Sequence, residues 1–105
     1  MAHTFIPDIA DLLDIPAEGT LSKVLYSDDR LRVVGFAFDK GQELTEHTAA
    51  VPALVQVISG RIAMTLDGET VQMSPGSWLR MDAHLPHALV AVEPSLVLLT
   101  LLRAH

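Results

Sequence analysis

The chain contains no cysteine among its 105 residues. Disulfide bonds and thiolate metal sites are therefore excluded, and a bound metal must be held by histidine, carboxylate or neutral oxygen ligands. Aromatic residues are also scarce, with one Trp, one Tyr and three Phe. We therefore expect a core built mainly from aliphatic and methionine side chains.

Basic residues are few, with 7 Lys and Arg against 13 Asp and Glu, which gives a net charge of −6. Nucleic acids and anionic membranes attract clustered Lys and Arg, so we expect neither as a partner. The longest mainly apolar run, Leu96–Leu102, is far shorter than the roughly 20 residues of a membrane-spanning helix. Residues 1–13 also lack the basic start of a signal peptide. The expected location is the cytoplasm.

The length fits a single domain, and residues 1–20 differ from the rest of it. Asp8 precedes the run IADLLD, which predicts one or two helical turns with Asp8 as the N-cap. Pro16 and Gly19 then interrupt the chain. We therefore predict a short N-terminal helical arm over residues 1–20 and a β-domain over residues 21–105.

The β-domain consists of short segments rich in β-forming residues, each followed by turn residues. Asp67-Gly68 is a strong signal for a tight hairpin between two of them. Eight or nine short strands with closely spaced turns are typical of an antiparallel sandwich or barrel. The predicted strands are residues 21–26, 31–38, 53–59, 61–66, 69–73, 78–81, 87–92 and 96–102.

Two strands, residues 33–38 and 96–102, are apolar on both faces. A strand of this kind needs cover on both sides, and a small barrel covers only the inner one. The simplest second cover is another copy of the chain, so we expect a homodimer that forms through the outer face. The alternative is that the N-terminal arm folds over the barrel, and the two covers are compatible.

Five histidines are the main candidates for chemistry. His3 and His105 lie near the chain ends, where we expect solvent exposure. His47, His84 and His87 lie within the β-domain. A histidine alone in an apolar strand is more often a packed or surface residue than a ligand. Whether these three histidines are ligands must therefore be judged from the turn residues around them.

That context has the order and spacing of a known pair of motifs. The matching positions are Gly41, His47 and Gly60, then the Asp67-Gly68 hairpin, then Pro75-Gly76 and His87. Over roughly residues 33–102 the chain resembles the cupin superfamily. The resemblance implies an all-β fold, a small antiparallel jelly-roll β-barrel. It implies no single activity, since cupins include isomerases, dioxygenases, decarboxylases, sugar-binding domains and sensor domains.

The departures from the family pattern concern the metal ligands. In cupins, two histidines and a glutamate of the first motif and one histidine of the second converge on one metal. Here Ala49 and Ala53 occupy the second-histidine and glutamate positions, and His84 occupies a glycine position. The resemblance therefore transfers only His47 and His87 as ligands.

One interpretation is a rebuilt metal site with a new third ligand. Glu43 is four residues from His47 and points inward if the strand is regular. Gln56 lies on the outer face of a regular strand and needs a bulge to reach the interior. His84 has the wrong parity relative to His87, but the intervening proline favours a loop that places it at the barrel mouth.

A second interpretation is a metal-free pocket, enlarged by Ala49 and Ala53, in which His47 and His87 bind a carboxylate or hydroxyl or act as acid and base. A third is a purely structural barrel.

We expect a cupin that binds a small molecule or one divalent transition metal (Zn, Fe, Mn or Ni) inside the barrel. The alternative is a metal-dependent isomerase or dioxygenase that acts on a small polar metabolite. The sequence leaves open whether there is turnover.

Overall fold

The computed structural model describes residues 2–103, so His105 lies outside the described residues. These residues form one short 3-10 helix and nine strands, and the all-β prediction is confirmed. The 3-10 helix is Ile9–Leu12. The strands are β1 (Thr20–Ser27), β2 (Leu31–Phe38), β3 (Glu43–His47), β4 (Ala53–Ser59), β5 (Ile62–Leu66), β6 (Glu69–Met73), β7 (Trp78–Met81), β8 (His87–Ala91) and β9 (Ser95–Leu102).

The strands form two antiparallel sheets. One has five strands in the order β1-β2-β9-β4-β7, and the other has four in the order β3-β8-β5-β6. The main hydrophobic cluster takes residues from both sheets, so the core lies between them as in other two-layer β-folds. Its fully buried side chains include Phe38, Ile62 and Met64, and it is mainly aliphatic and methionine, as the composition predicts.

The predicted Asp67-Gly68 hairpin joins β5 to β6. Leu66 pairs with Glu69, which leaves two residues in the loop. Asp67 and Gly68 have φ angles of 47° and 87°, the left-handed conformations that a two-residue type I′ turn requires. The turn residues therefore fix the register of this pair of strands.

The N-terminal arm is less helical than predicted, since its helix is a single 3-10 turn. The Asp8 carboxylate accepts a hydrogen bond of 3.0 Å from the backbone N–H of Ala10, so the predicted N-cap is present. Leu13 already has an extended backbone. Four residues give too few hydrogen bonds for a stable α-helix, and the arm is held by packing instead.

That packing covers part of the outer face of the five-stranded sheet. Leu13 is buried against Ala37 of β2 and Leu96 of β9. A Cβ atom on Gly35 would lie 2.7 Å from Leu13 Cδ1, so the absence of a side chain there lets the arm lie flat on the sheet. The arm thus supplies some of the second cover that the two apolar strands need.

Within residues 2–103, no helix is long and apolar enough to cross a membrane.

Candidate functional site

His47 and His87 lie side by side on neighbouring strands. They are direct cross-strand partners in the antiparallel pair β3–β8. Their ring centroids are 4.2 Å apart, and the ring planes are tilted by 59°. Partners of this kind have their Cβ atoms about 5 Å apart, which brings the two imidazoles into contact. The structure therefore brings together the two histidines that the motif resemblance selects.

Backbone carbonyls hold both rings in the same way. His47 Nδ1 lies 2.7 Å from the carbonyl oxygen of Thr45, and His87 Nδ1 lies 2.8 Å from that of Leu85. A carbonyl oxygen can only accept, so each Nδ1 carries a hydrogen and donates it. In a neutral imidazole this leaves the lone pair on Nε2. Among the described residues, each histidine thus keeps one free acceptor nitrogen.

A small cavity of about 50 Å³ lies beside this pair, inside the barrel. His47 and His87 line it, and the other lining side chains are aliphatic, aromatic or methionine. His87 is 8% exposed, whereas His47 is exposed on its strand, so the pair extends from solvent to the interior. We refer to this as the histidine cavity. The apolar lining residues used below are Phe36, Leu44, Met64 and Met81.

Glu43 does not reach the histidine cavity. The register of β3 against β8 shifts between Leu44 and His47, so the strand is not regular there. Residues three apart, Leu44 and His47, line the cavity together, and Glu43 is exposed. The expectation that Glu43 points inward assumed regular alternation, which this irregularity breaks.

Gln56 is exposed on the outer face of β4, between the buried residues Val55 and Val57. The register irregularity in β4 falls between Val57 and Ser59, beyond Gln56. The bulge that would have turned this side chain inward is therefore absent at the position where it is needed.

His84 lies in the loop before β8 and is exposed. Its φ angle is 68°, in the left-handed region that favours glycine, which agrees with the glycine at this position of the motif. Its backbone N–H donates a 2.7 Å hydrogen bond to the carbonyl of Ala49. His84 therefore joins two loops through its backbone, and it is not among the residues that line the histidine cavity.

Ala49 and Ala53 do not enlarge the cavity, contrary to expectation. Ala53 is 1% exposed and belongs to the main core cluster. Its strand partners are Met81 and Leu101. Neither alanine is among the residues that line the histidine cavity.

A larger groove of about 600 Å³ lies between the arm and strands β1 and β2. Its polar side chains include Tyr26 and Asp28, which are joined by a 2.7 Å hydrogen bond. The groove is shallow and open to solvent, and these two groups already satisfy each other. The histidine cavity is therefore the better candidate site, although it is smaller.

Comparison with known proteins agrees with the fold and the motif spacing. The sequence model of the cupin domain matches residues 36–101, more than half of the chain.

The chain belongs to the cupin family.

Three solved cupin-like structures illustrate the range of its relatives. SPY1581 of Streptococcus pyogenes, a conserved protein of unknown function, is 32% identical over 100% of this chain and 92% of its own, with a TM-score of 0.88. KdgF from Halomonas sp. is 27% identical over 89% and 87%, with a TM-score of 0.78. The Cupin_2 domain of an XRE family transcriptional regulator from Enterobacter cloacae is 26% identical over 82% and 98%, with a TM-score of 0.70. A comparison with the curated proteins gives no match.

The four-ligand metal centre of cupins does not fit the residues present in this cupin. Between residues 2 and 103, no group of three or more His, Cys, Asp or Glu side chains is placed to hold a metal ion. His47 and His87 offer two imidazole nitrogens, whereas catalytic zinc sites usually have three protein ligands. Metal binding at this pair stays a prediction.

Two features of the site have no signal in the sequence. One is the pair of backbone carbonyls, at Thr45 and Leu85, that hold the imidazoles. Each lies two residues before its histidine, so the spacing is visible, but the conformation that turns the ring back is not. The other is the participation of Leu44, which follows from the irregular register of β3.

Proposed function

We propose that this cupin binds a small molecule in the histidine cavity through His47 and His87. One observation carries the proposal: two imidazoles, each held by a backbone carbonyl through Nδ1, lie side by side on a cavity that is otherwise lined by apolar side chains. Small-molecule sites are mostly apolar, with a few polar groups that fix the orientation of the ligand.

The two kinds of lining would act on different parts of a ligand. An apolar end would enter the barrel beside Phe36 and Met64. A polar group would stay near the histidines and hydrogen-bond to Nε2. A hydrogen bond is electrostatically stronger in such apolar surroundings than in water, so two polar side chains are enough to orient a small ligand.

A divalent transition metal such as Zn, Fe, Mn or Ni is the second candidate, and one observation favours it. Histidines that bind metals usually donate their other ring N–H to a carbonyl or carboxylate, as His47 and His87 do. The pair would supply two ligands, and further ligands would come from water or from a bound metabolite. A metal-dependent isomerase or dioxygenase is the form of this candidate with turnover.

Methionine methyl groups provide a direct test of ligand binding. Met64 and Met81 line the histidine cavity, whereas Met73 is buried in the core and does not line it. With ¹³C-methyl methionine, we would titrate the protein separately with propan-1-ol, propionate and propylammonium. At least one probe should shift the Met64 and Met81 methyl signals and leave Met73 unchanged. If none of the three does so, the proposed function is wrong.

Metal content is measured in parallel on untagged protein. Bound metal that is lost in both His47→Ala and His87→Ala, and retained in His3→Ala, would support the second candidate. A substoichiometric metal content that stays the same in all three variants would eliminate the second candidate. Turnover would have to be shown separately, by a reaction that the same two substitutions abolish.

A further inference from the structure

The free acceptor nitrogens of the histidine cavity determine which chemical group it accepts. We propose that the ligand of this cupin presents a primary ammonium group on a short alkyl chain. The inference rests on the proposed function and names the class of ligand for that site.

The hydrogen-bonding groups of the two histidines favour an ammonium group. His47 and His87 use their Nδ1 hydrogens on backbone carbonyls, so each offers only the Nε2 lone pair. A hydroxyl has a single hydrogen, and its own lone pairs would face the second ring. A carboxylate has no hydrogen to donate. An ammonium group has three hydrogens and no lone pair, so it can donate to both nitrogens and still bind water.

The charge of the protein favours a cationic ligand. The chain carries a net charge of −6, and the residue beside His47 on β3 is an exposed glutamate, Glu46. A net negative charge favours cations over carboxylates in the solution around the protein. Within residues 2–103, no acidic side chain lines the histidine cavity. A cation there keeps part of its hydration because His47 is exposed, and this limits the cost of desolvation.

The size of the histidine cavity limits the alkyl chain of the ligand. The cavity volume is about 50 Å³, and one water molecule takes about 30 Å³ of liquid volume. On that scale about two carbon atoms fit beside Phe36, Met64 and Met81. The geometry thus favours an unbranched ethyl or propyl chain and disfavours aromatic or branched amines.

The experiment is the methionine titration, now read as a comparison among the three probes. They share a three-carbon chain and differ in the polar group. We expect half-saturation of the Met64 and Met81 shifts at the lowest concentration for propylammonium, and no shift with benzylamine. In long-range ¹⁵N spectra, the Nε2 signals of both histidines should move as propylammonium binds.

His47→Ala tests the contact, because His47 is exposed and its removal leaves the core intact. An unchanged Met73 signal would verify the fold. The substitution should weaken propylammonium binding about ten-fold, the effect of losing one hydrogen bond to a charged group. His3→Ala, the matched control outside the site, should change nothing.

The outcomes separate the two proposals. Tighter binding of propan-1-ol or propionate overturns the ammonium assignment and leaves the proposed function standing. An affinity for propylammonium that is unchanged in His47→Ala also overturns the assignment. The absence of a Met64 or Met81 shift with every probe overturns both.

Discussion

Gly60, which follows β4, occupies a position where a single methyl group should be costly. Its φ angle is 82°. A Cβ atom there would lie within 2.5 Å of two atoms, the carbonyl oxygen of Pro94 and Ser95 Oγ. Ser95 is 0% exposed, and its hydroxyl accepts a 2.9 Å hydrogen bond from the Arg61 N–H and lies 2.7 Å from the Glu93 carbonyl. These neighbours are backbone or fully buried, so they cannot move aside at low cost.

The expected loss for Gly60→Ala is the sum of two effects. A left-handed conformation costs an alanine about 1–2 kcal/mol. Overpacking of a tightly packed site typically costs about 1–3 kcal/mol more. Gly68 is the matched control, because its φ angle is 87° but a Cβ atom there would meet nothing within 4 Å. Gly68→Ala should therefore show only the first loss, about 1–2 kcal/mol.

The measurement is urea unfolding of both variants beside the wild type, with free energies from linear extrapolation. The free energy of unfolding of Gly60→Ala should fall below that of Gly68→Ala by about 1–3 kcal/mol. Equal losses in the two variants would refute the reasoning, because they would mean that the contacts with Pro94 and Ser95 carry no cost.

Three further predictions concern other parts of the chain. His84→Gly should raise the free energy of unfolding, measured in urea, by up to about 1 kcal/mol. Glycine adopts the left-handed conformation of this position without the strain that histidine has there, although it loses more backbone entropy on folding. Hydrogen bonds from the Tyr26 hydroxyl and two backbone amides hold the pKa of Asp28 below its ordinary 3.8. Asp28 therefore stabilises the fold above that pH and loses this contribution as the pH falls, so Asp28→Asn should flatten the acid-side decline of stability in urea titrations. Trp78 is 62% exposed on the outer sheet face, where we predict the homodimer contact. Trp78→Ser should shift a dimer towards the 11.4 kDa monomer in light scattering, and a monomeric wild type would contradict this prediction.

The parts of the fold that the sequence predicts are those with a local physical cause. Asp67-Gly68 specifies its hairpin because few residues accept two successive left-handed conformations. The run of β-forming residues over 53–59, which ends at Gly60, predicts β4. Strand β3 is absent from the predicted strands because ELTEH is mostly polar and exposed, so neither apolar alternation nor a hydrophobic run marks it.

The site is predicted less completely, for reasons of register and packing. The resemblance to the cupin motifs selects His47 and His87, and the two side chains are neighbours in the structure. The orientation of Glu43 depends on an irregularity in β3, and no residue type in that segment predicts it. The burial of Ala53 depends on side chains from other strands, which sequence distance does not reveal. Local chemistry thus predicts most of the strands, the resemblance to cupins selects the histidine pair, and tertiary packing decides what surrounds that pair.

The position of β9 in the five-stranded sheet has a consequence for biosynthesis. It lies between β2 and β4, although both are made well before it. Until Leu96–Leu102 has left the ribosome, each of those strands has an unpaired edge. Such long-range closure is slow, and unpaired edges are prone to aggregation. Translational stalling before this segment should therefore make the nascent chain a substrate for chaperones, whereas in the finished fold β9 pairs with both β2 and β4.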